Sequence, residues 1–184
     1  MNAPTDTQLM LAVKRGDSQK LGTLYERYKD WLFRFFLQLH GNSVLGEDMV
    51  QTVFMRILKY KHTYTEDSKY VTWMFQIARN VNNDHFRKRE QKHVKEEIDK
   101  INFKLSDYET ADERIEKQES SHLLHRALQK LPIDKREVIV LSKLKELKYR
   151  EVATILGCTE NTARMKAHRA LIDLKEIYLS IEKN

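Results

Sequence analysis

The chain has 184 residues, of which 33% are charged, and its net charge of +6 gives an isoelectric point near 9.3. Five glycines and two prolines are too few for a turn-rich β protein and favour helices. No apolar run approaches membrane-spanning length and the N-terminus lacks a signal-peptide pattern, so we expect no membrane insertion. The only cysteine, Cys158, excludes an internal disulfide and fits a reducing cytoplasm.

The first half of the chain has the apolar period of helices. Thr5 or Thr7 can cap a first short helix, which Gly16 ends. A polar loop, Lys61–Lys69, interrupts the later pattern. Apolar residues at three- and four-residue steps predict three longer helices, at about Ser18–Leu39, Val44–Tyr60 and Tyr70–Arg89. We interpret this half as one helical bundle covering residues 6–92.

Charge separates in the middle of the chain. Residues 86–95 hold five basic residues and one acid, a net charge of +4, whereas residues 96–119 hold nine acids and four bases, a net charge of −5. The acidic part has few apolar residues and predicts a flexible linker, residues 93–115. A helix up to Leu131, a stop at Pro132 and a helix over Asp134–Leu144 then begin a second domain, residues 116–180. The predicted fold is therefore all-α, with two small helical domains joined by an acidic linker.

The end of the chain has the pattern of a helix-turn-helix. Tyr149–Leu156 forms a short amphipathic helix, Gly157 can take the positive φ that ends it, and Thr159 or Thr162 can cap the next helix. One stripe of that next helix is apolar at helical spacing, namely Ala163, Ala167, Ala170, Leu171 and Leu174. With the two preceding helices, this unit completes a four-helix C-terminal domain.

The surface of this unit is basic. Residues 143–175 hold eight Lys or Arg and four acids, a net charge of +4. A helix of this kind fits the DNA major groove, where Arg, Lys and Asn suit the edges of guanine and adenine. An ordinary helical hairpin with a solvated basic face has a similar pattern and stays open as the alternative.

Three stretches, taken together, resemble the extracytoplasmic-function (ECF) sigma factors of bacterial RNA polymerase. They are Arg15–Tyr28, the pair Gly46–Ile57 and Thr72–Arg89, and Leu131–Leu171. The resemblance covers about Asp6 to Leu174 and preserves order and spacing. It implies an N-terminal domain that binds the polymerase clamp helices and the promoter −10 element. It implies a C-terminal domain that binds the polymerase flap and the −35 element.

The resemblance assigns polymerase binding to the third helix. Acids and an amide beside an aromatic anchor suit a basic coiled coil. Phe54 also lies on the apolar stripe, so a core role is equally open. The residues that match the family's polymerase-binding helix are Glu47, Asp48, Gln51, Phe54 and Arg56.

The fourth helix and the loop before it match the −10 and strand-opening part of the family. Asn80, Asn83, Asp84 and Arg87 share one helix face that can meet unpaired bases, and Lys88 and Arg89 can add phosphate contacts. The alternative is a solvated polar face. The helical spacing of Trp73 suggests a core position. In the family the equivalent position lies near the point of strand separation, and the two roles can coexist. In the family the loop captures a flipped base, and its candidate residues are His62, Tyr64, Asp67 and Ser68.

The second helix of the helix-turn-helix supplies the −35 candidates. Its basic residues point in different directions, so some contact phosphates and not bases. Glu160 can accept a hydrogen bond from a cytosine amino group. The candidates are Glu160, Asn161, Thr162, Arg164, Met165, Lys166, His168 and Arg169.

Two other classes of protein are alternatives. A stand-alone helix-turn-helix regulator would bind duplex DNA by itself at a two-fold operator. An enzyme is disfavoured, because the sequence has no HExxH, GxSxG, CxxC or Walker-type loop. His122 and His125, with Cys158, are a weak zinc pattern, and we expect no metal or cofactor. The resemblance further implies a cytoplasmic protein, monomeric when free, with an anti-sigma partner.

Overall fold

The structure, a computed structural model, describes residues 3–93 and 115–183, with side chains at 3–87 and 122–183. No β-strand is found among these residues, and the predicted all-α fold is confirmed. The elements in chain order are α1 (Asp6–Lys14), α2 (Gln19–His40), α3 (Ser43–Lys59), a 3-10 turn (Lys61–Thr63), α4 (Tyr70–His93), α5 (Ile115–Lys130), α6 (Ile133–Ile139), a π turn (Val140–Leu144), α7 (Tyr149–Leu156) and α8 (Glu160–Glu182).

Contacts divide the chain into two compact units. One combines Met1–Arg34 with Val44–Phe103, and the other combines Phe35–Ser43 with Lys104–Asn184. The predicted acidic linker, residues 93–115, lies outside the described residues except at its two ends. The functional domain limits 6–92 and 116–180 therefore remain a prediction.

Helix α1 begins at a capping box. The Thr5 hydroxyl accepts from the Gln8 backbone N–H at 3.2 Å, and the Thr5 N–H donates to the Gln8 side chain at 2.9 Å. Of the two threonines that the sequence offered, Thr5 is thus the cap. Asp6 in the first turn pairs with Arg27 of α2 at 2.7 Å. These contacts fix α1 against α2.

The core of the first unit is formed by the apolar stripes that the sequence predicts. The side chains from α1 to α4 with no more than 4% exposure include Leu9, Met10, Val13, Leu24, Leu32, Val50, Val53, Ile57, Met74, Phe75, Ala78 and Val81. Trp31 packs edge-on against Phe75 with ring centroids 4.9 Å apart. Burying each large apolar side chain stabilises the unit by about 1.5–3 kcal/mol before conformational entropy is counted. Leu58 of α3 lies outside this core, because 41% of its surface is exposed.

Tyrosines bring polar groups into this core. The Tyr28 hydroxyl donates to the Asp6 carboxylate, and its ring lies 5.3 Å from that of Tyr70. Burial, together with the Asp6 hydrogen bond, raises the pKa of Tyr28, and burial also raises the pKa of Tyr70. Both phenols therefore stay neutral at physiological pH, as their packing among rings requires.

In the second unit, a buried arginine joins α5 to α6. Pro132 ends α5 and leaves the carbonyls of its last turn without helical partners. The Arg136 guanidinium donates to the carbonyl oxygens of Gln129 at 2.5 Å and Leu131 at 2.8 Å. Burial lowers the pKa of Arg136 to about 10, so the group is still charged at neutral pH. This cation supplies the missing C-terminal cap of α5.

The helix-turn-helix forms as the sequence predicts. Gly157 ends α7 at φ 68°, and the Thr159 hydroxyl accepts from the Thr162 N–H at 3.2 Å to cap α8. Ala163, Ala167 and Ala170 are completely buried, and α8 packs against α5, α6 and α7 along this stripe. Small side chains let the helix axes approach closely.

The helix preceding this unit differs from prediction. The sequence predicts one helix over Asp134–Leu144, whereas the chain is α-helical only to Ile139 and then forms the π turn. The Lys145 N–H bonds to the Val140 carbonyl, and the Ser142 hydroxyl bonds back to the Val138 carbonyl. Such back-bonding and wide turns loosen a helix end, and apolar spacing gives no sign of them.

Two glycines provide a matched test of backbone conformation. A methyl group added at Gly157 or at Gly22 meets no atom within 4 Å, and only Gly157 has a positive φ. Gly157→Ala should lower the free energy of unfolding by about 1 kcal/mol. Gly22→Ala, inside α2, should raise it by about 0.5–1 kcal/mol. Urea denaturation measures both, and equal effects of one sign would contradict the assignment.

Candidate nucleic-acid and polymerase interfaces

Helix α3 presents an exposed face that is partly apolar. Val44, Met55 and Leu58 are 69%, 73% and 41% exposed. They alternate at three- and four-residue steps with the predicted polymerase-binding residues Asp48 and Gln51, which are also exposed. Glu47 is exposed beside them. An apolar strip with acids at one end is unusual for solvated surface.

The other two predicted polymerase-binding residues do not lie on this face. Phe54 is only 6% exposed and its ring lies 5.0 Å from that of Tyr25, so it is a core residue that supports α3. Arg56 points to α4, where its guanidinium meets the Asp84 carboxylate at 2.7 Å. Val44 and Met55 are not among the residues that the sequence assigns to this contact, although both share the helical face of Asp48 and Gln51.

A pocket of about 340 Å³ lies between α3 and α4. The predicted −10 residues Asn80, Asn83, Asp84 and Arg87 all line it, and Arg56, Tyr60 and Ile77 complete it. Amide and guanidinium groups supply hydrogen-bond donors, while Tyr60 and Ile77 supply an aromatic and an aliphatic surface. This combination suits an unstacked nucleobase. The structure thus brings together residues that the sequence assigned to two separate interfaces.

The charges in this pocket are partly compensated. Asp84, which by itself would repel phosphate, is paired with Arg56 and lies 4.0 Å from Arg87. Arg87 is 77% exposed and remains available to an anion. The side chains of Lys88 and Arg89 lie outside the described part of the chain, so their assigned contacts stay a prediction.

The loop Lys61–Lys69 has a buried anchor and an exposed tip. Tyr64 is completely buried, whereas His62 and Asp67 are exposed and Ser68 is half-buried. Trp73 is 8% exposed, and its indole N–H donates to the Thr63 hydroxyl at 3.3 Å. The predicted core position of Trp73 is therefore observed, and it supports the loop from below. Of the four loop candidates, Tyr64 is not accessible to DNA in this conformation.

Helix α8 presents its predicted DNA-reading residues to solvent. Every candidate side chain from Glu160 to Arg169 is exposed, whereas the alanines between them are buried. Glu160 accepts from Arg164 at 3.0 Å, and the Arg164 guanidinium lies 5.6 Å from the Tyr149 ring centroid. Thr162 is bound to the Thr159 cap. Asn161, Lys166, His168 and Arg169 are exposed at different positions around the helix, together with the 45% exposed Met165.

Side chains that can ligate a metal do not cluster in the described residues. Among them, no group of three or more His, Cys, Asp and Glu side chains is placed to hold an ion. His125 is half-buried, and burial together with the nearby Arg136 charge lowers its pKa.

None of the helices in the described part of the chain is both long enough and apolar enough to cross a membrane.

Comparison with known proteins identifies the family. The model of sigma-70 region 2 matches residues 24–92, and that of sigma-70 region 4 matches residues 121–174. The ECF RNA polymerase sigma factor SigM of Bacillus subtilis is 33% identical over 156 residues, which cover 84% of this chain and 93% of that protein. The chain belongs to the ECF sigma factor family. The sigma-E factor of Escherichia coli K12 is 25% identical over 173 residues, or 90% of each chain.

Solved structures of sigma factors have the same fold. CnrH, in complex with the cytosolic domain of CnrY, has a TM-score of 0.71 at 20% identity and covers 95% of this sigma factor and 97% of its own chain. RpoE of Bartonella quintana, in complex with the anti-sigma factor NepR, has a TM-score of 0.67 at 24% identity, with 85% and 94% covered. The two helical regions of this sigma factor are therefore those of known sigma-factor structures.

The contribution of the Arg56–Asp84 ion pair to stability can be measured. A double-mutant cycle of Arg56→Met and Asp84→Asn should give a coupling of about 0.5 kcal/mol, since both groups are partly exposed to solvent. The control cycle pairs Asp84→Asn with Arg87→Met, whose groups are 4.0 Å apart, and should give almost none. Urea denaturation at low salt, which leaves the ion pair unscreened, measures both. Equal couplings would show that the pair does not join α3 to α4.

Proposed function

We propose that this protein is the promoter-specificity subunit of bacterial RNA polymerase for one set of promoters. It binds the core enzyme, recognises the −35 and −10 elements and opens the duplex at the start site. The observation that carries the proposal is the presence of both sigma regions, in order, within one chain. A single DNA-binding region would equally suit a stand-alone regulator, whereas the pair of regions matches the two promoter elements.

We place the main polymerase contact on the exposed face of α3. Val44, Met55 and Leu58 supply apolar area, and Glu47 and Asp48 supply charge that complements basic residues. Apolar centres with a charged rim are typical of protein interfaces. The polymerase clamp helices are the partner that the family resemblance implies for this face.

The pocket between α3 and α4 is the proposed site for unpaired −10 bases. Asn80 and Asn83 offer donors and acceptors to a base edge, and Arg87 offers charge to a phosphate. Because Arg56 lines the same pocket from α3, this site lies next to the proposed polymerase face. Binding of the core enzyme and capture of the bases would then involve the same two helices.

The exposed face of α8 is the proposed reader of the −35 element. Asn161 and Arg164 lie near the helix N-terminus, the part that reaches base edges in helix-turn-helix complexes. The Arg164 guanidinium is held by Glu160 and Tyr149, so it is oriented before DNA binds. Lys166 and Arg169, further along, suit phosphate contacts that fix the register.

The protein is also proposed to act in the cytoplasm and to be controlled by a partner protein. Opening without nucleotide hydrolysis fits a sequence with no Walker-type loop, and the protein would act without catalysis of its own in the cytoplasm. An anti-sigma factor is a further proposed partner. In the solved structures, RpoE is bound to the anti-sigma factor NepR, and here such a partner would cover the α3 face.

Run-off transcription tests the proposal as a whole. Purified bacterial core polymerase is incubated with this protein and a fragmented library of host DNA. Initiation at a discrete set of sites, dependent on the protein, is the expected result. No initiation, combined with specific duplex binding by the protein alone, would instead establish a stand-alone regulator.

Substitution on α3 should weaken polymerase binding. Met55→Asp places a charge in the apolar strip, and we expect the Kd for core polymerase to rise about tenfold or more. Thr23→Asp, at an exposed position of α2, adds the same charge away from the strip and should leave affinity within about twofold. Fluorescence anisotropy of labelled protein measures both. Equal losses would remove α3 as the contact.

Substitution on α8 should weaken promoter binding only. Arg164→Ala should lower holoenzyme affinity for a −35 site about tenfold and leave core polymerase binding intact. Lys175→Ala, exposed beyond the reading half of α8, is the charge-matched control and should change affinity little. A parallel loss of polymerase binding in Arg164→Ala would contradict the assignment of this region.

A further inference from the structure

Helix α1 contacts Tyr64 of the loop Lys61–Lys69 at two points, its backbone carbonyl and its side-chain hydroxyl. The Lys14 ammonium donates to the backbone carbonyl of Tyr64 at 2.7 Å. The Tyr64 hydroxyl lies 3.4 Å from the Thr7 hydroxyl. Thr7 and Lys14 are seven residues apart and therefore share one face of α1. One helix face thus contacts both the backbone and the side-chain end of the buried tyrosine.

Tyr64 in turn closes the loop. Its hydroxyl donates to the Ser68 carbonyl at 3.0 Å, and its ring packs 5.3 Å from Trp73. The Ser68 N–H bonds to the Thr65 carbonyl at 3.1 Å, and the two hydroxyls lie 3.0 Å apart. These bonds fix the backbone on both sides of the exposed tip, where Glu66 and Asp67 lie.

Helix α1 lies outside the stretch that matches the region 2 model. The region 2 match begins at residue 24, whereas α1 ends at Lys14. Its burial of Leu9, Met10 and Val13 explains why the helix packs on the unit. The burial of these three residues does not explain why Lys14 contacts a loop carbonyl, because an exposed ammonium can be solvated by water without that contact.

We propose that Lys14 and Tyr64 are positioning residues for promoter opening. They hold the loop in one conformation, and the family resemblance gives this loop the capture of a flipped −10 base, apart from the bases proposed for the pocket between α3 and α4. This role rests on the proposed function above. A loop that had to become ordered during binding would lose backbone entropy in addition to the cost of unstacking the base. Fixing the loop in advance removes the first of these costs.

The test uses holoenzyme assembled from core polymerase and the full chain. It measures binding to a single-stranded oligonucleotide that carries the non-template −10 sequence, intact or with one abasic site at each position in turn. For the wild type we expect one abasic position to lower affinity about tenfold, the loss of one base contact. This ratio between intact and abasic DNA reports capture of the base and not overall folding or charge.

Two variants and one control address the two contacts. Lys14→Met removes the ammonium, and Tyr64→Phe removes only the hydroxyl and keeps the packed ring. Both should lower affinity for the intact oligonucleotide and shrink the abasic ratio to about twofold. Lys20→Met removes an equal charge from an exposed site on α2. It should keep the tenfold ratio, with the same small loss for every oligonucleotide.

The outcomes separate the inference from the function on which it rests. If both variants keep the wild-type ratio, or lose affinity equally for intact and abasic DNA, α1 does not position the loop. If the wild-type holoenzyme shows no promoter-dependent binding or initiation, the proposed function fails instead. Should Lys14→Met fail to fold, by its thermal transition, Tyr64→Phe decides the question alone.

Discussion

The close packing of α8 along its alanine stripe is the contact on which the C-terminal unit depends. Ala163, Ala167 and Ala170 are fully buried, and α5, α6 and α7 all pack on α8. Once that stripe is buried, the rotation of α8 about its axis is fixed. The side chains on its opposite face then point outwards together, ready for a groove. The buried residues therefore determine which side chains of α8 are exposed.

Helix α3 has a corresponding part in the first unit, where one helix has three separate faces. Val50, Val53 and Ile57 are buried in the core, Met55 and Leu58 are exposed, and Arg56 reaches across to α4. A straight helix can satisfy all three because successive residues turn by about 100°. The proposed polymerase contact and one side of the proposed base pocket are thus built on one helix.

The helices and the core were readable from sequence because they follow from periodicity and capping. Thr5, Gly157 and Thr159 act at the positions where their chemistry predicts a helix end. The π turn was not readable, since the apolar residues around it suit a continued helix. The sequence also predicts only part of the side-chain accessibility. Phe54, for which contact and core roles were both open, is buried, because an apolar stripe does not show which aromatic is covered by a neighbouring helix. The loop candidate Tyr64 is also buried, and the polar sequence around it does not show that its ring packs against Trp73.

The separation of buried and exposed faces on α8 has an evolutionary consequence. Positions such as Asn161, Lys166 and Arg169 contribute little to the stability of the fold, since surface substitutions away from caps and networks change it by about 0.5 kcal/mol or less. They can therefore drift freely after gene duplication while the scaffold stays intact. Under the proposed −35 role, exchange of these side chains would give regulators with distinct target repertoires on one architecture.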